Sequence, residues 1–311
     1  MDMPTRPLST GTIARLDGAR KHYDSVVALD GLDLDIHRGE VLALLGANGA
    51  GKTTAISLLL GLAAPTRGEA QLFGQSPQEI AARQRIGVML QTASLPDNNT
   101  VQELLELTRS YYAAPRDFDE CVRMAGLQDL LKRRYAKLSG GQQRRVQFAL
   151  AICGNPELIF LDEPTTGLDI ESRETLWAAI RNLVAQGTAV LLTTHYLEEA
   201  QALADRVVVV RNGREVAQGT VDDIRALVSG QRIRCRSLVS QEQLAAWPGV
   251  REASVIDGRV ELQVEDAAAV LRWLLSIDPT LSELEVTRAG LADAFLALTR
   301  DAPTHDVQET H

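Results

Sequence analysis

A short apolar run, Val41–Leu45, breaks into Gly46-Ala47-Asn48-Gly49-Ala50-Gly51-Lys52-Thr53, and a helical pattern follows to about residue 61. Five consecutive apolar residues read as a strand buried on both faces, so the chain must cover that strand with layers above and below. The loop fits G-x-x-x-x-G-K-[ST] in its required strand-to-helix context. Its glycines let backbone N–H groups turn inward around phosphate oxygens, and the following helix adds partial positive charge at the same point. The expected cradle is Gly46, Asn48, Gly49, Gly51, Lys52, Thr53 and Thr54. Lys52 is placed to reach the β- and γ-phosphates of ATP, and the hydroxyl of Thr53 to face a Mg²⁺ ion.

Around this loop the pattern alternates between strand and helix. Residues 13–20 and 27–36 read as strands, the second with Leu32, Leu34 and Ile36 alternating with Asp33 and Asp35. From about residue 92 to 155 the pattern is helical, opening on a Thr100/Glu103 capping box. It continues over 117–125, 127–131 and 141–153. Two buried strands, Leu158–Asp162 and 189–194, flank a helix over 171–186, and Asn212-Gly213 signals a hairpin. The fold class is therefore α/β, with a parallel core sheet, an antiparallel β subdomain and a helical subdomain.

Past a composition shift the reading is strand 232–238, helix 241–246, strand 250–256, strand 260–264, helix 266–275, strand 284–288 and helix 291–298, with an Asp257-Gly258 turn. That β-α-β-β-α-β order predicts a small ferredoxin-like α+β domain. The expected organisation is a tail over 1–11, a nucleotide-binding domain over 12–220, a linker over 221–231, an accessory domain over 232–300 and a loose tail over 301–311.

Two further segments carry chemistry. The run Leu158-Ile159-Phe160-Leu161-Asp162-Glu163 ends an apolar strand in two acids. Asp162 is placed to hold Mg²⁺, and Glu163 to orient or deprotonate an attacking water. In Leu138-Ser139-Gly140-Gly141-Gln142, Ser139 and Gln142 are spaced as a capping box, and the glycines expose backbone donors at a helix start.

With LSGGQ the chain resembles the ATP-binding cassette (ABC) family, whose elements occur here in family order from Tyr23 to His195. The resemblance implies roles for several residues. Tyr23 would stack on adenine. Gln91 would sense Mg²⁺ and γ-phosphate and face a membrane partner. Asp169, in Gly167-Leu168-Asp169, would lie in the loop crossing a dimer interface, and His195 would act as the switch histidine on γ-phosphate. It also implies that Ser139, Gly140, Gly141 and Gln142 contact the ATP held by a second protomer. One chain carries one phosphate loop and one signature, so a second copy of itself or a paralogous ATPase must complete each site.

The segment from Val286 to Thr299 is similar to the C-terminal extension of drug- and antibiotic-export ABC ATPases, which work with a separate membrane permease. The expected function is the ATP-hydrolysing subunit of such an exporter, at the cytoplasmic face of the membrane. The alternatives are a soluble ABC ATPase of DNA repair or translation, and an importer ATPase. The net charge of −9 gives no basic footprint, so no nucleic-acid partner is expected. Arg232, Arg234 and Arg236 alternate on one strand and are read as the solvated face of an edge strand. Cys121, Cys153 and Cys235 lack metal-ligand spacing and are read as reduced, buried or half-buried thiols.

Overall fold

The computed structural model describes residues 11–92, 95–227, 231–256, 258–288 and 290–299. The two expected tails apart from Gly11, Ala93 and Ser94 after Gln91, residues 228–230 of the expected linker, and Asp257 lie outside the described residues. The chain divides into two units, Met1–Val221 and Asp222–His311.

The first unit opens with an antiparallel pair, β1 (Thr12–Tyr23) and β2 (Val26–His37), then β3 (Val41–Leu45) and α1 (Lys52–Leu59). β4 (Arg67–Leu72), the single-turn α2 (Ile80–Arg83) and β5 (Ile86–Met89) follow. The helices α3 (Val101–Arg109), α4 (Phe118–Ala125) and α5 (Gly140–Ile152) precede β6 (Leu158–Asp162). The chain continues through α6 (Ile170–Ala185), β7 (Ala189–Thr193), α7 (Leu197–Leu203), and the hairpin β8 (Arg206–Arg211) and β9 (Arg214–Gly219).

β3 sits inside a six-stranded sheet of order β5-β6-β7-β3-β8-β9, parallel except for β9 at the edge. Strand side chains alternate between faces. Accordingly Ile159 and Leu161 join one core with α3, α4, α5 and α6, while Leu158 and Phe160 join the other with α1. A second sheet, β2-β1-β4, is antiparallel.

Sequence reasoning missed β4 and β5. β4 is polar over Arg67–Leu72, and β5 is four residues long and includes Gly87, so neither shows a run or a clean alternation. Residues 127–131, expected as a helix, form turns instead. Gly126, at φ 63°, caps α4 in the left-handed region. The N–H groups of Leu130 and Arg133 then bond to carbonyls three residues back. Five residues after such a stop are too few to repay helix nucleation. The Thr100/Glu103 capping box forms with both reciprocal bonds, at 3.2 and 2.8 Å.

Gly87 is where β5 meets α5. A Cβ there would lie 1.9 Å from the Ala151 carbonyl oxygen. Gly87→Ala is expected to force α5 off the sheet and cost about 1–3 kcal/mol, as overpacking does; urea denaturation with an unchanged m-value checks this.

The second unit starts within α8 (Val221–Ala226), where a linker is expected. There follow β10 (Gln231–Arg236), α9 (Gln241–Ala245), β11 (Val250–Ile256), β12 (Arg259–Val264), α10 (Ala267–Ile277), β13 (Ser282–Arg288) and α11 (Leu291–Thr299). The four strands form one antiparallel sheet of order β11-β12-β10-β13. Its core gathers Ile233, Leu262, Val264, Val270 and Leu274, with Trp247 stacked on Trp273 at 3.8 Å beside it.

β10 is therefore an inner strand, which corrects the edge-strand reading of its arginines. Alternation shows that one face is polar, but not which strands lie alongside. The three charges are paired across that face: Arg232 with Asp293, Arg234 with Glu261, and Arg236 with Glu283. All three cysteines are free and buried, and burial pushes the Cys121 thiol up to about 11 and the Cys153 thiol up to about 12. Such thiols carry no thiolate at neutral pH and behave as small apolar residues.

Candidate functional site

The sheet order places the C-terminal ends of β5, β6, β7 and β3 side by side. The loops leaving those ends carry Gln91, Asp162 with Glu163, His195, and the phosphate loop. Ligands of open α/β sheets bind outside the carboxyl ends of the strands, where helix N-termini also point.

In the phosphate loop, Gly51 stands just before α1 at φ 110°, and a Cβ there would lie 2.6 Å from the Ala28 carbonyl oxygen. Both the left-handed backbone and the close approach of β2 require glycine at this position. The Asn212-Gly213 hairpin buttresses the loop from behind: Gly213 donates its N–H to the Ala50 carbonyl at 2.9 Å and accepts from the Asp30 N–H at 2.9 Å. Ala47, Asn48 and Gly49 stay exposed. Lys52 folds back over the loop, donating to the carbonyls of Gly46 at 2.7 Å and Ala47 at 3.1 Å. Burial pushes its ammonium pKa down, opposed by the charges of Glu163 and Asp162.

The two acids at the end of β6 have different surroundings. Asp162 is 8% exposed and accepts a hydrogen bond from the Thr193 hydroxyl, its partner in register on β7. Glu163 turns its backbone into the left-handed region at φ 51°, with its N–H bonded to the Thr193 carbonyl at 2.9 Å. One oxygen of its carboxylate accepts from Gln91 Nε2 at 3.1 Å and from the Thr166 hydroxyl at 3.3 Å. The other lies 3.1 Å from His195 Nδ1. Three residues far apart in sequence thus converge on one carboxylate.

The other expected residues stand elsewhere. Ser139 caps α5, with Gln142 closing a complete capping box at 3.3 and 3.1 Å. Gly140 begins that helix, and Gly141 packs against Gly167 and Leu168 of the same chain. Asp169 caps α6 by accepting from the Ser172 N–H at 2.7 Å. That hydrogen bond holds its carboxylate below the usual range. Tyr23, at the tip of β1, is 46% exposed, with the Lys21 ammonium 5.0 Å from its ring centre. Among the described residues, no hydrogen bond or ion pair joins Tyr23, the signature residues or Asp169 to the phosphate loop.

Sequence reasoning missed several contributors, Thr166 on the Glu163 carboxylate among them. Thr193 was legible only as part of the run before His195. Arg144, two residues past the signature, is buried and bonds to the Leu90 and Glu163 carbonyls at 2.9 and 3.2 Å. Glu199 on α7 is fully buried and accepts from Trp177 Nε1 at 3.2 Å. Burial pushes its carboxyl pKa up, against Thr194, Trp177, Thr165 and Arg173.

A raised folded pKa means the folded state holds the Glu199 proton after the unfolded state has released it. Stability is therefore lost as pH climbs from the unfolded carboxylate value toward the folded one. Glu199→Gln is expected to raise the melting temperature at neutral pH, with the gain shrinking to nothing in acid. Thermal melts across that range check this.

These features define a phosphate-loop nucleotide-binding domain with an acid pair at the loop. The ABC transporter family profile matches residues 29–166. The chain is 37% identical over 305 residues, covering 93% of it and 96% of the relative, to the daunorubicin resistance ATP-binding protein DrrA3 of Streptomyces coeruleorubidus. It is 38% identical over 226 residues, 70% of each chain, to the Nod factor export ATP-binding protein I of Ralstonia nicotianae. Among solved structures, it matches an ATP-binding subunit of an ABC transporter at TM-score 0.65 and 30% identity, over 70% of this chain and 93% of that one. A dimeric bacterial ABC transporter cassette matches at TM-score 0.62 and 27% identity, over 67% of this chain and 98% of that one. The chain belongs to the ABC transporter family, and it is an ATP-binding subunit that hydrolyses ATP.

Proposed function

We propose that this subunit powers export of a drug, antibiotic or lipid-like compound through a separate membrane permease, from the cytoplasmic face of the membrane and as a homodimer. The observation that carries the ATPase part is the Glu163 carboxylate, held by Gln91, Thr166 and His195 one residue after Asp162. In this reading Glu163 takes the proton of the attacking water. Lys52 leaves its two loop carbonyls to bind the β- and γ-phosphates, and His195 contacts the γ-phosphate. The phosphate-loop backbone cradles the triphosphate, and Tyr23 stacks on adenine.

The donor set fits Mg²⁺: Asp162 offers a carboxylate, Thr53 a hydroxyl and Gln91 an amide oxygen, all hard oxygen ligands. Among the described residues no cluster of three or more His, Cys, Asp or Glu could hold a metal. In this reading the ion is held by one carboxylate together with substrate phosphates. When bound, Mg²⁺ supplies positive charge against the γ-phosphoryl group.

Ser139, Gly140, Gly141, Gln142 and Asp169 lie off the phosphate loop. They act in this reading on the ATP of a second protomer, where the N-terminus of α5 offers backbone donors to phosphate. No helix among the described residues is long and apolar enough to cross a membrane, and in this reading the transport path belongs to the permease. An open groove of about 500 Å³, lined by Leu62, Val88, Leu90, Leu95, Tyr112 and Leu150, offers an apolar seat for a permease segment beside the Gln91 loop. The names of the daunorubicin-resistance and Nod factor export relatives favour export over import. The second unit is proposed as a ferredoxin-like accessory domain.

The test is co-expression with the permease and ATP-driven transport in inside-out membrane vesicles. Accumulation inside the vesicles means export, and depletion means import. Co-purification with ribosomes or DNA in place of the permease overturns the transporter reading.

A further inference from the structure

The Arg144 guanidinium spans two loops of the nucleotide site from within the signature helix. Ser139 caps α5, and Arg144 lies five residues on, about 7.5 Å along the helix axis at 1.5 Å per residue. One of its nitrogens donates to the Leu90 carbonyl at 2.9 Å, the peptide group that leads into Gln91, and to Gln147 Oε1 at 3.0 Å. The other donates to the Glu163 carbonyl at 3.2 Å. Gln147 in turn bonds to the Tyr135 hydroxyl at 2.9 Å, and Gln143 Nε2 to the Tyr135 carbonyl at 3.2 Å, which ties the fork to the turn before the signature.

The fork is held through both of its terminal nitrogens. Burial pushes the Arg144 guanidinium pKa down, while Asp162, Glu163 and Tyr135 oppose the shift. An arginine keeps its charge in such a setting, and its planar fork sets both hydrogen-bond directions at once. The Glu163 carbonyl it holds belongs to a residue at φ 51°, a backbone state that a side-chain-bearing residue keeps only when its neighbours impose it. Movement of α5 therefore carries the fork with it and acts on the residue bearing the candidate base and on the loop bearing Gln91.

We propose that Arg144 is a positioning residue that couples the nucleotide bound by the partner protomer, met at the N-terminus of α5, to the Gln91 and Glu163 of its own protomer. This rests on the two-protomer site proposed above. When ATP in the partner draws α5 in, the Arg144 fork sets the two loops in hydrolytic register, so that the two sites fire cooperatively. Arg144 touches no reacting atom.

The test compares wild type, Arg144→Met and Arg144→Lys. It measures ATP turnover against ATP concentration, binding of fluorescent ATP, thermal melting, and the solution mass of Glu163→Gln with and without Arg144→Met in Mg-ATP. Wild type is expected to show a Hill coefficient above one. Arg144→Met is expected to lower kcat by about 10- to 100-fold, as small misplacements of catalytic groups do. Its KM and ATP affinity should stay within about twofold, and its Hill coefficient should fall toward one. Arg144→Lys reaches only one of the two carbonyls and should fall between, and it decides the matter if Arg144→Met does not fold.

Wild-type kcat and cooperativity in Arg144→Lys and in any folded Arg144→Met overturn the coupling. So does a kcat loss matched by lost ATP affinity and lower melting, which marks a merely structural role. A Glu163→Gln protein that dimerises in ATP while Arg144→Met stays cooperative sinks the coupling alone. A Glu163→Gln protein that stays monomeric in ATP sinks the two-protomer reading, and the coupling with it.

Discussion

Glu163→Gln is expected to slow ATP turnover by about 100- to 1000-fold while ATP affinity stays within about twofold. Removing a positioned general base costs roughly 10²–10⁴ in rate. The glutamine keeps the volume of the side chain, and its amide oxygen can still accept from Gln91 Nε2 and the Thr166 hydroxyl, which now lie at 3.1 and 3.3 Å. What it cannot do is take a proton from water, so the loss should fall on kcat and spare binding. The ATP-bound state then accumulates. Solution mass is expected to read dimer in Mg-ATP and monomer in Mg-ADP. A monomer under both conditions, with ATP shown to bind, would remove the homodimer and leave closure to the permease or to a different cassette. A turnover loss of less than tenfold would remove Glu163 as the base.

Lys52→Met is expected to fail at the opposite step, with ATP affinity falling about 100-fold and the fold intact. Lys52 now donates to the Gly46 and Ala47 carbonyls at 2.7 and 3.1 Å, and burial already lowers its pKa. Hydrogen bonds to charged groups contribute about 1.5–3 kcal/mol each, so losing the contacts of this ammonium to two phosphates accounts for that drop. The carbonyls it leaves belong to a half-exposed glycine and an exposed alanine, which water can satisfy. Calorimetric titration with ATP and a thermal melt separate the two effects. Unchanged affinity would mean that Lys52 stays folded on its own loop when the nucleotide binds. The two variants together divide the site: one binds without turning over, the other does not bind.

Much of the site was legible in the sequence because its chemistry is local. The phosphate loop is eight consecutive residues, and the acid pair ends a run that can only be a doubly buried strand. The N-terminal capping box of α5 needs only Ser139 and Gln142, three residues apart. Patterns on this scale are fixed by backbone geometry within one turn of chain, so no fold is needed to read them. The same locality explains the failures. Arg232, Arg234 and Arg236 showed a polar strand face but not that β12 and β13 flank it. A four-residue strand such as β5 takes its identity from β6 beside it, since its own pattern is too short to specify one.

The sequence by itself determined that the chain is an α/β nucleotide-binding protein with ABC motifs, since each motif is a run of a few consecutive residues. Only the tertiary structure decided that Gln91, Thr166 and His195 meet on Glu163, that Thr193 holds Asp162, that Gly213 braces the phosphate loop, and that Arg144 spans two loops from inside α5. The contacts on Asp162 and Glu163 join the ends of β5, β6 and β7, which lie side by side in the sheet although helices separate each from the next along the chain. The pairing of buried strands is set by how two apolar faces pack as wholes, and that is a property of the assembled sheet rather than of any one segment.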